Sequence, residues 1–474
     1  MFLGIIAEMS DKLTFMPATV LLEHYASKKL SPMDVTKEAL ERIRKHNPSL
    51  NAYYLVDEEG ALKTARESEN RWFSRSTLGP LDGIPTSIKD HQLTKGWPSP
   101  RGSLTTDPNE PWTEDSPAVA RLRESGAVFL GKTTMPEFGW KGVTDSELFG
   151  VTRNPWNQNK TPGGSSGGAS AALASGMGQL ALGSDGGGSI RIPCALTGLF
   201  GLKPTFGRVP LYPQSPMGTL SHVGPMSRRV ADSALMLNVI SKPDYRDWFA
   251  QSPTDIDYLE DIDLGVSGLR IAYSPTLGYA KVESEVAALV EAVAQKFIDL
   301  GAIVEELDPG FSDPTEMFMT HWYAGAANAL RGKGEEKLKR VEESFLMMAR
   351  KGQEITAVEY LAAVSQRTEL ALHMDQFFFN WDLLITPAVS VPAFDVGQIA
   401  PKGYDDLYWT QWTPFTYPFN LTQQPAASLP CGFTAEGLPV GVQLVGAKNM
   451  ESIIFRAGQA YETVSSHLCL FPDL

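Results

Sequence analysis

Apolar positions along this chain repeat in two rhythms, one helical and one strand-like, and the two alternate over most of its length. Ser31-Pro32-Met33-Asp34 reads as a helix start, with a capping hydroxyl, a proline in the first turn and an acid three residues after the cap. Val35, Leu40 and Ile43 then share one face, and Asn47-Pro48 is expected to stop the helix. Residues 51–56 read as a strand, and another helix runs to about Trp72. Residues 84–89 form a short strand with Ile84, Thr86 and Ile88 on one face and Pro85, Ser87 and Lys89 on the other. Ser116-Pro117 opens a helix that Gly126 ends, and Ala127-Val128-Phe129-Leu130 is a buried strand. Residues 179–182 and 269–273 read as further strands, the second leading into a helix with Val286, Leu289, Val293, Phe297 and Leu300 on one face. Gly301 closes that helix and residues 302–304 resume the sheet. Residues 313–378 turn helical and predict a layer over the sheet, before strands return at 383–387 and 440–445.

Strand–helix–strand order of this kind predicts an α/β fold with a largely parallel sheet. No internal repeat, long low-complexity linker or composition break divides the chain, so residues 1–474 read as one domain.

Composition narrows the partners. Hydrophobic residues at 43% and charged residues at 20% are ordinary for a soluble globular protein. A net charge of -14 argues against nucleic acid or an anionic membrane as main partner, since both reward basic patches. Cys194, Cys431 and Cys469 are too few and scattered for a disulfide framework, which points to a reducing compartment. The apolar stretch 2–6 is short and lacks a basic flank, so it does not read as a secretory signal. No run approaches the ~18–20 apolar residues needed to span a bilayer. The expectation is a soluble, cytoplasmic protein.

Candidate chemistry lies in two glycine-dense turns. Thr161-Pro162-Gly163-Gly164-Ser165-Ser166-Gly167-Gly168 runs into an alanine-rich helix, and one short strand later comes Gly183-Ser184-Asp185-Gly186-Gly187-Gly188-Ser189. A flexible linker is the simpler reading of either turn alone. Two of them flanking one helix and one strand read instead as a built site. Glycines 186, 187 and 188 can adopt positive φ and turn successive N–H groups toward one point, the geometry of an oxyanion hole beside a nucleophile. Neither turn contains GxxxxGK[ST] or GxGxxG, which argues against nucleotide binding. Gly164-Ser165-Ser166-Gly167-Gly168 does satisfy GxSxG, the nucleophile elbow of α/β-hydrolases, but no strand enters it. His222, His321, His373 and His467 sit in no recognisable catalytic setting, and none of the seven histidines is assigned a role.

Without a histidine, the serine needs another base, and Lys89 is the candidate. Lysine titrates near 10.4, so burial would have to lower it by roughly 2–3 units, at about 3–4 kcal/mol of folding free energy. From the strand alone, a surface lysine paired with Asp90 is the better reading.

Residues 79–85 through Lys89-Asp90, residues 131–138, Gly163 to Gly168, Asp185 to Pro193, residues 201–205 and Gly207-Arg208 resemble the amidase signature family. The order and spacing match from about residue 17 to residue 462, including residues 418–422 and 437–439. The resemblance implies a large twisted mixed β-sheet covered by helices on both faces, with a signature core over about 75–240 and a variable helical substrate-pocket region over about 310–380. It also implies a Ser–cisSer–Lys triad: Lys89 as base, Ser165 as relay behind a cis peptide, and Ser189 as nucleophile. The two serines stand 24 positions apart, the family's usual separation. One departure is Gly186, where the family commonly has threonine. Arg191 matches and is expected to brace the loop through Asp185.

The activity so implied is hydrolysis of a small-molecule amide, with no metal or organic cofactor required. Amidase-like subunits of aminoacyl-tRNA amidotransferases are the competing reading; those usually carry glutamine where this chain has Ile192. An inactive scaffold is a third, disfavoured because all three triad positions are filled. Phe138, Trp140, Tyr323, Trp409, Trp412, Phe415 and Tyr417 are the candidates to wall an apolar pocket, which favours an aryl or medium-sized apolar amide, an anilide or a carbamate. Core packing is the competing reading for most of them. Family members often form homodimers, and the sequence names no interface.

Overall fold

The structure is a computed structural model that describes residues 13–107, 109–405, 408–466 and 470–474. The stretch 2–6, His467 and Cys469 lie outside the described residues. Eleven strands form one sheet: β1 (Tyr53–Val56), β2 (Pro85–Lys89), β3 (Val128–Thr133), β4 (Leu180–Asp185), β5 (Phe200–Lys203), β6 (His222–Ser227), β7 (Arg270–Tyr273), β8 (Ile303–Glu306), β9 (Leu383–Pro387), β10 (Ala426–Phe433) and β11 (Pro439–Gly446). Their order across the sheet is β1-β3-β2-β4-β6-β5-β10-β11-β9-β7-β8.

The sheet is mixed, as the family resemblance implies, rather than largely parallel as strand–helix order alone suggests. Parallel pairing joins β2 to β3 and β4, and β7 to β8 and β9. The remaining neighbours run antiparallel. Strands β5, β6 and β10 supply most of these antiparallel pairs, and none has a clear sequence signal. They are buried on both faces and carry Gly201, Gly224-Pro225 and Pro430, so no polar–apolar alternation marks them.

Helices cover both faces, and alternation along β4 shows how. Leu180 and Leu182 join a large core with the Val230–Ile240, Ser284–Asp299 and Glu451–Thr463 helices. Ala181, pointing the other way, packs with Ala169, Leu173 and Cys194 from the Gly167–Ala174 and Arg191–Thr197 helices. Strand β2 obeys the same rule: Ile84 and Ile88 enter the large core, which turns Lys89 toward the small-residue helix.

The Pro32–Leu50 helix starts as expected, with Ser31 and Asp34 forming a reciprocal cap. It does not stop at Asn47-Pro48. Leu50, its last residue, is buried, and Asn47 Oδ1 accepts the N–H groups of Ala52 and Tyr53, so the last turn is held despite Pro48. Residues 313–378 form helices at Thr315–Leu330, Glu335–Leu338, Glu343–Glu354 and Ala357–Phe377. Phe318, Trp322 and Ala326, spaced by four, pack against Phe345 and Met348 of the next long helix. No helix among the described residues is long and apolar enough to cross a membrane.

Candidate active site

Lys89 ends β2 fully buried. Its Nζ lies 2.7 Å from Ser165 Oγ, 2.8 Å from Ser166 Oγ and 3.0 Å from Ser184 Oγ. The Gly164–Ser165 peptide is cis. Close approach of this turn depends on missing side chains: a Cβ on Gly164 would strike the Val143 backbone, and one on Gly168 would lie 2.5 Å from Thr134 N. Burial lowers the Lys89 pKa to about 7, against the opposing charges of Asp185 and Asp90. Asp90 is not its surface partner. That carboxylate accepts from Tyr54 Oη at 2.8 Å and from the Gly102 N–H at 2.6 Å, while burial also pushes down neighbouring Lys132.

Ser189 follows β4 on a turn anchored by Asp185. Asp185 accepts from the Gly188 N–H at 2.7 Å, the Ile190 N–H at 3.1 Å and two nitrogens of Arg191 at 2.9 and 3.0 Å. Arg191 also donates to Thr416 O, Gln443 Oε1 and Asn420 Oδ1, so its whole fork is spent on holding the turn. Burial would raise the Asp185 carboxyl, but the Arg191 charge and hydrogen bonds from Arg191 and Asn420 hold it well below the usual range.

This bracing corrects the candidate oxyanion donors. Gly188, the one of the three glycines with positive φ (132°), gives its N–H to Asp185 and is not free. Among the described residues no acceptor meets the N–H groups of Gly186, Gly187 and Ser189, and these are the available donors. Gly187 is required for packing: a Cβ there would lie 2.7 Å from Trp409 and 2.8 Å from Phe318. A Cβ on Gly186 would lie 3.3 Å from Trp322.

Ser165 and Ser189 both open onto a cavity of about 310 Å³. Its apolar wall is Met135, Phe138, Leu211, Met217 and Trp322. Of the aromatic candidates only Phe138 faces it. Trp140, Trp409 and Trp412 are core residues, and so are Phe415 and Tyr417. Tyr323 turns toward Tyr408 and Lys351, whose Nζ lies 5.3 Å from the ring centre. The crowded tryptophans form a layer behind the wall. Trp140 O accepts from Trp322 Nε1 at 3.2 Å, and Trp409 meets Trp322 edge-on at 5.4 Å. Trp322 and Tyr212 also line the cavity and were not among the candidates; for Trp322 the spacing of four from Phe318 was the available signal.

Ser166 precedes the Gly167–Ala174 helix without a side-chain cap, is fully buried and follows no strand, so it is not a nucleophile elbow. His91 lines the cavity, but burial holds it well below its ordinary range, as it does His222.

A mixed sheet thus places a buried lysine beneath two serines on glycine-rich turns, at the edge of one cavity. The sequence model of the Amidase family matches residues 34–454, and the chain belongs to the amidase signature family. It is an amidohydrolase of that family. Similar relatives include an acylamidase of Rhodococcus erythropolis, 36% identical with 96% of each chain covered. A glutamyl-tRNA(Gln) amidotransferase subunit of Myxococcus xanthus is 34% identical over 95% of this chain and 97% of that one. Among solved structures, a bacterial aryl acylamidase of the amidase signature family superposes with TM-score 0.89 at 30% identity, covering 96% of this chain and 98% of its own. A 6-aminohexanoate cyclic dimer hydrolase in complex with substrate superposes with TM-score 0.88 at 29% identity, covering 97% and 99%.

Proposed function

We propose that the chain hydrolyses the C–N bond of a medium-sized amide with an apolar or aryl part, anilides and carbamates included, through an acyl-enzyme on Ser189. The observation that carries this reading is the buried Lys89 amine, 2.7 Å from Ser165 Oγ and next to a cavity that Ser189 also lines. A neutral amine has two N–H donors and one lone pair. Ser166 and Ser184 engage the donors, which leaves the lone pair for the Ser165 hydroxyl.

Ser189 Oγ attacks the carbonyl carbon as its proton passes to Ser165, whose own proton moves to Lys89. Negative charge gathering on the carbonyl oxygen is met by the N–H groups of Gly186, Gly187 and Ser189. Lys89 returns the proton through Ser165 to the leaving nitrogen, the C–N bond breaks, and water then releases the acyl group by the reverse relay. Phe138 and Trp322 in the cavity wall support an aryl or apolar substrate part, as does the resemblance to acylamidases.

The test is turnover of a panel of p-nitroanilides, aliphatic amides and carbamates by the wild type and Ser189→Ala. Anilide hydrolysis that falls about 10³-fold or more in the variant is expected. Turnover undiminished in Ser189→Ala, or confined to short polar amides, would overturn the role or the substrate class respectively. Likeness to amidotransferase subunits keeps a second reading in view, and Ile192 weighs against it. Glutamine hydrolysis that appears only with a partner protein would favour that second reading.

A further inference from the structure

The chain carries a net charge of -14, yet the mouth of its candidate active site is basic. Arg101 and Arg331 line the cavity that holds Ser165 and Ser189. An adjoining hollow of about 560 Å³ shares Arg331 and adds Lys333 and Arg350. Among the described residues none of these four forms an ion pair, whereas Arg71, Arg191 and Arg246 each meet an aspartate. The cations border the apolar wall: Lys333 Nζ lies 5.5 Å from the ring centre of Phe138. Glu110 and Glu137 act on Lys333 at longer range, but Glu137 is already engaged by the Ser103 hydroxyl and the Glu342 N–H.

Gathering unpaired cations at one mouth of an acidic protein is unfavourable through their mutual repulsion, which an incoming anion relieves. Two arginines lining one cavity suit a planar carboxylate, because a guanidinium meets it with paired N–H donors. We infer that the amide taken by this site bears a carboxylate, received by Arg101 and Arg331 while Phe138 and Trp322 hold the apolar part. This rests on the amide-hydrolase reading above and names the substrate class for it.

Two measurements test it separately from that reading. In the first, kcat/KM is compared for glutaryl p-nitroanilide and its uncharged pentanoyl counterpart, and for acetanilides with and without a ring carboxylate. At least one carboxylate-bearing member is expected to be preferred tenfold or more, with the ratio falling at least tenfold in Arg101→Gln/Arg331→Gln and shrinking as salt is raised. Arg331 is exposed, so Arg331→Glu tests the same point without burying a new charge; the preference should shift toward an ammonium-bearing amide.

In the second, calorimetry compares binding of 4-phenylbutyrate and 4-phenylbutanol to the unreacted protein. Tighter binding of the acid, lost in the double variant, supports the subsite even where no amide is turned over, and the hydrolase reading then fails alone. Carboxylate binding that survives both substitutions belongs to the oxyanion donors and overturns the inference, as does equal use of charged and neutral amides.

Discussion

An amine stripped of water releases its proton more readily, and Lys89 is poised by burial rather than by a charged neighbour. In the proposed mechanism only its neutral form accepts the serine proton. With its pKa near 7, kcat/KM should climb about tenfold per pH unit below that value and level off above it. Lys89→Arg should be inactive from pH 6 to 10, because a guanidinium stays protonated throughout. Stopped assays across that range, with folding checked by circular dichroism, decide the matter. A profile flat from pH 5 to 9 would remove the residue from the proton path. The strand rhythm legibly put Lys89 opposite Ile84 and Ile88, but it left open whether that face met water or the Gly167–Ala174 helix. Ser184 was not legible at all: its hydroxyl reaches Lys89 from a neighbouring strand, and no local pattern announces such a contact. Tyr323 and Trp322 differ by one position, which on a helix is a turn of about 100°, enough to send one to Lys351 and the other to the cavity.

At the scale of elements, the turn after β4 works because its glycines admit neighbours. Gly186 stands where the resemblance expects threonine, and Trp322 fills the space a side chain would need. Gly186→Thr should push the indole aside and narrow the cavity, since a Cβ at 3.3 Å leaves no room for the further atoms of threonine. The expected result is a rise in KM of about tenfold or more for aryl amides with a much smaller change for acetamide-sized ones. An equal loss on both would mean that the turn itself had been distorted. Element boundaries were legible where a rhythm existed, as in β2, β3, β7 and β9, each found within a few residues. They were hidden where burial on both faces removed the rhythm, as in β5, β6 and β10. Missing those three strands is what made the sheet look parallel, because the order of helices and strands that remained was the order of a doubly wound fold. The glycine turns were legible as a site, yet not the division of labour within them: Gly188 serves Asp185, and only the folded loop distinguishes a spent N–H from a free one.

Across the whole molecule, Lys89, Lys132 and Lys203 are all fully buried, and burial lowers the pKa of each. Such lysines make the fold pH-dependent in a fixed direction. Between their folded and unfolded pKa values the unfolded chain binds protons that the folded chain does not, so stability rises with pH. For Lys89 the penalty is complete below about 7 and fades as pH approaches 10.5. Other groups titrate mainly outside the window used for the test: the thiols of Cys194 and Cys431 are pushed up from 9.0, and His91 and His222 are pushed down from 6.5. The urea midpoint should therefore increase from pH 7 to pH 8.5, as the unfolding free energy rises by up to about 1.4 kcal/mol per pH unit for each lysine that stays neutral in the fold. Lys89→Met removes one of these contributions. At pH 7 the variant should unfold at higher urea than the wild type, its unfolding free energy greater by at most about 5 kcal/mol less whatever the three orphaned serine hydroxyls lose. The gap should narrow toward pH 8.5 while the variant hydrolyses no amide. A wild type whose midpoint stays constant over this interval would mean that these amines remain charged inside the protein, and the proposed base would then have no lone pair to offer.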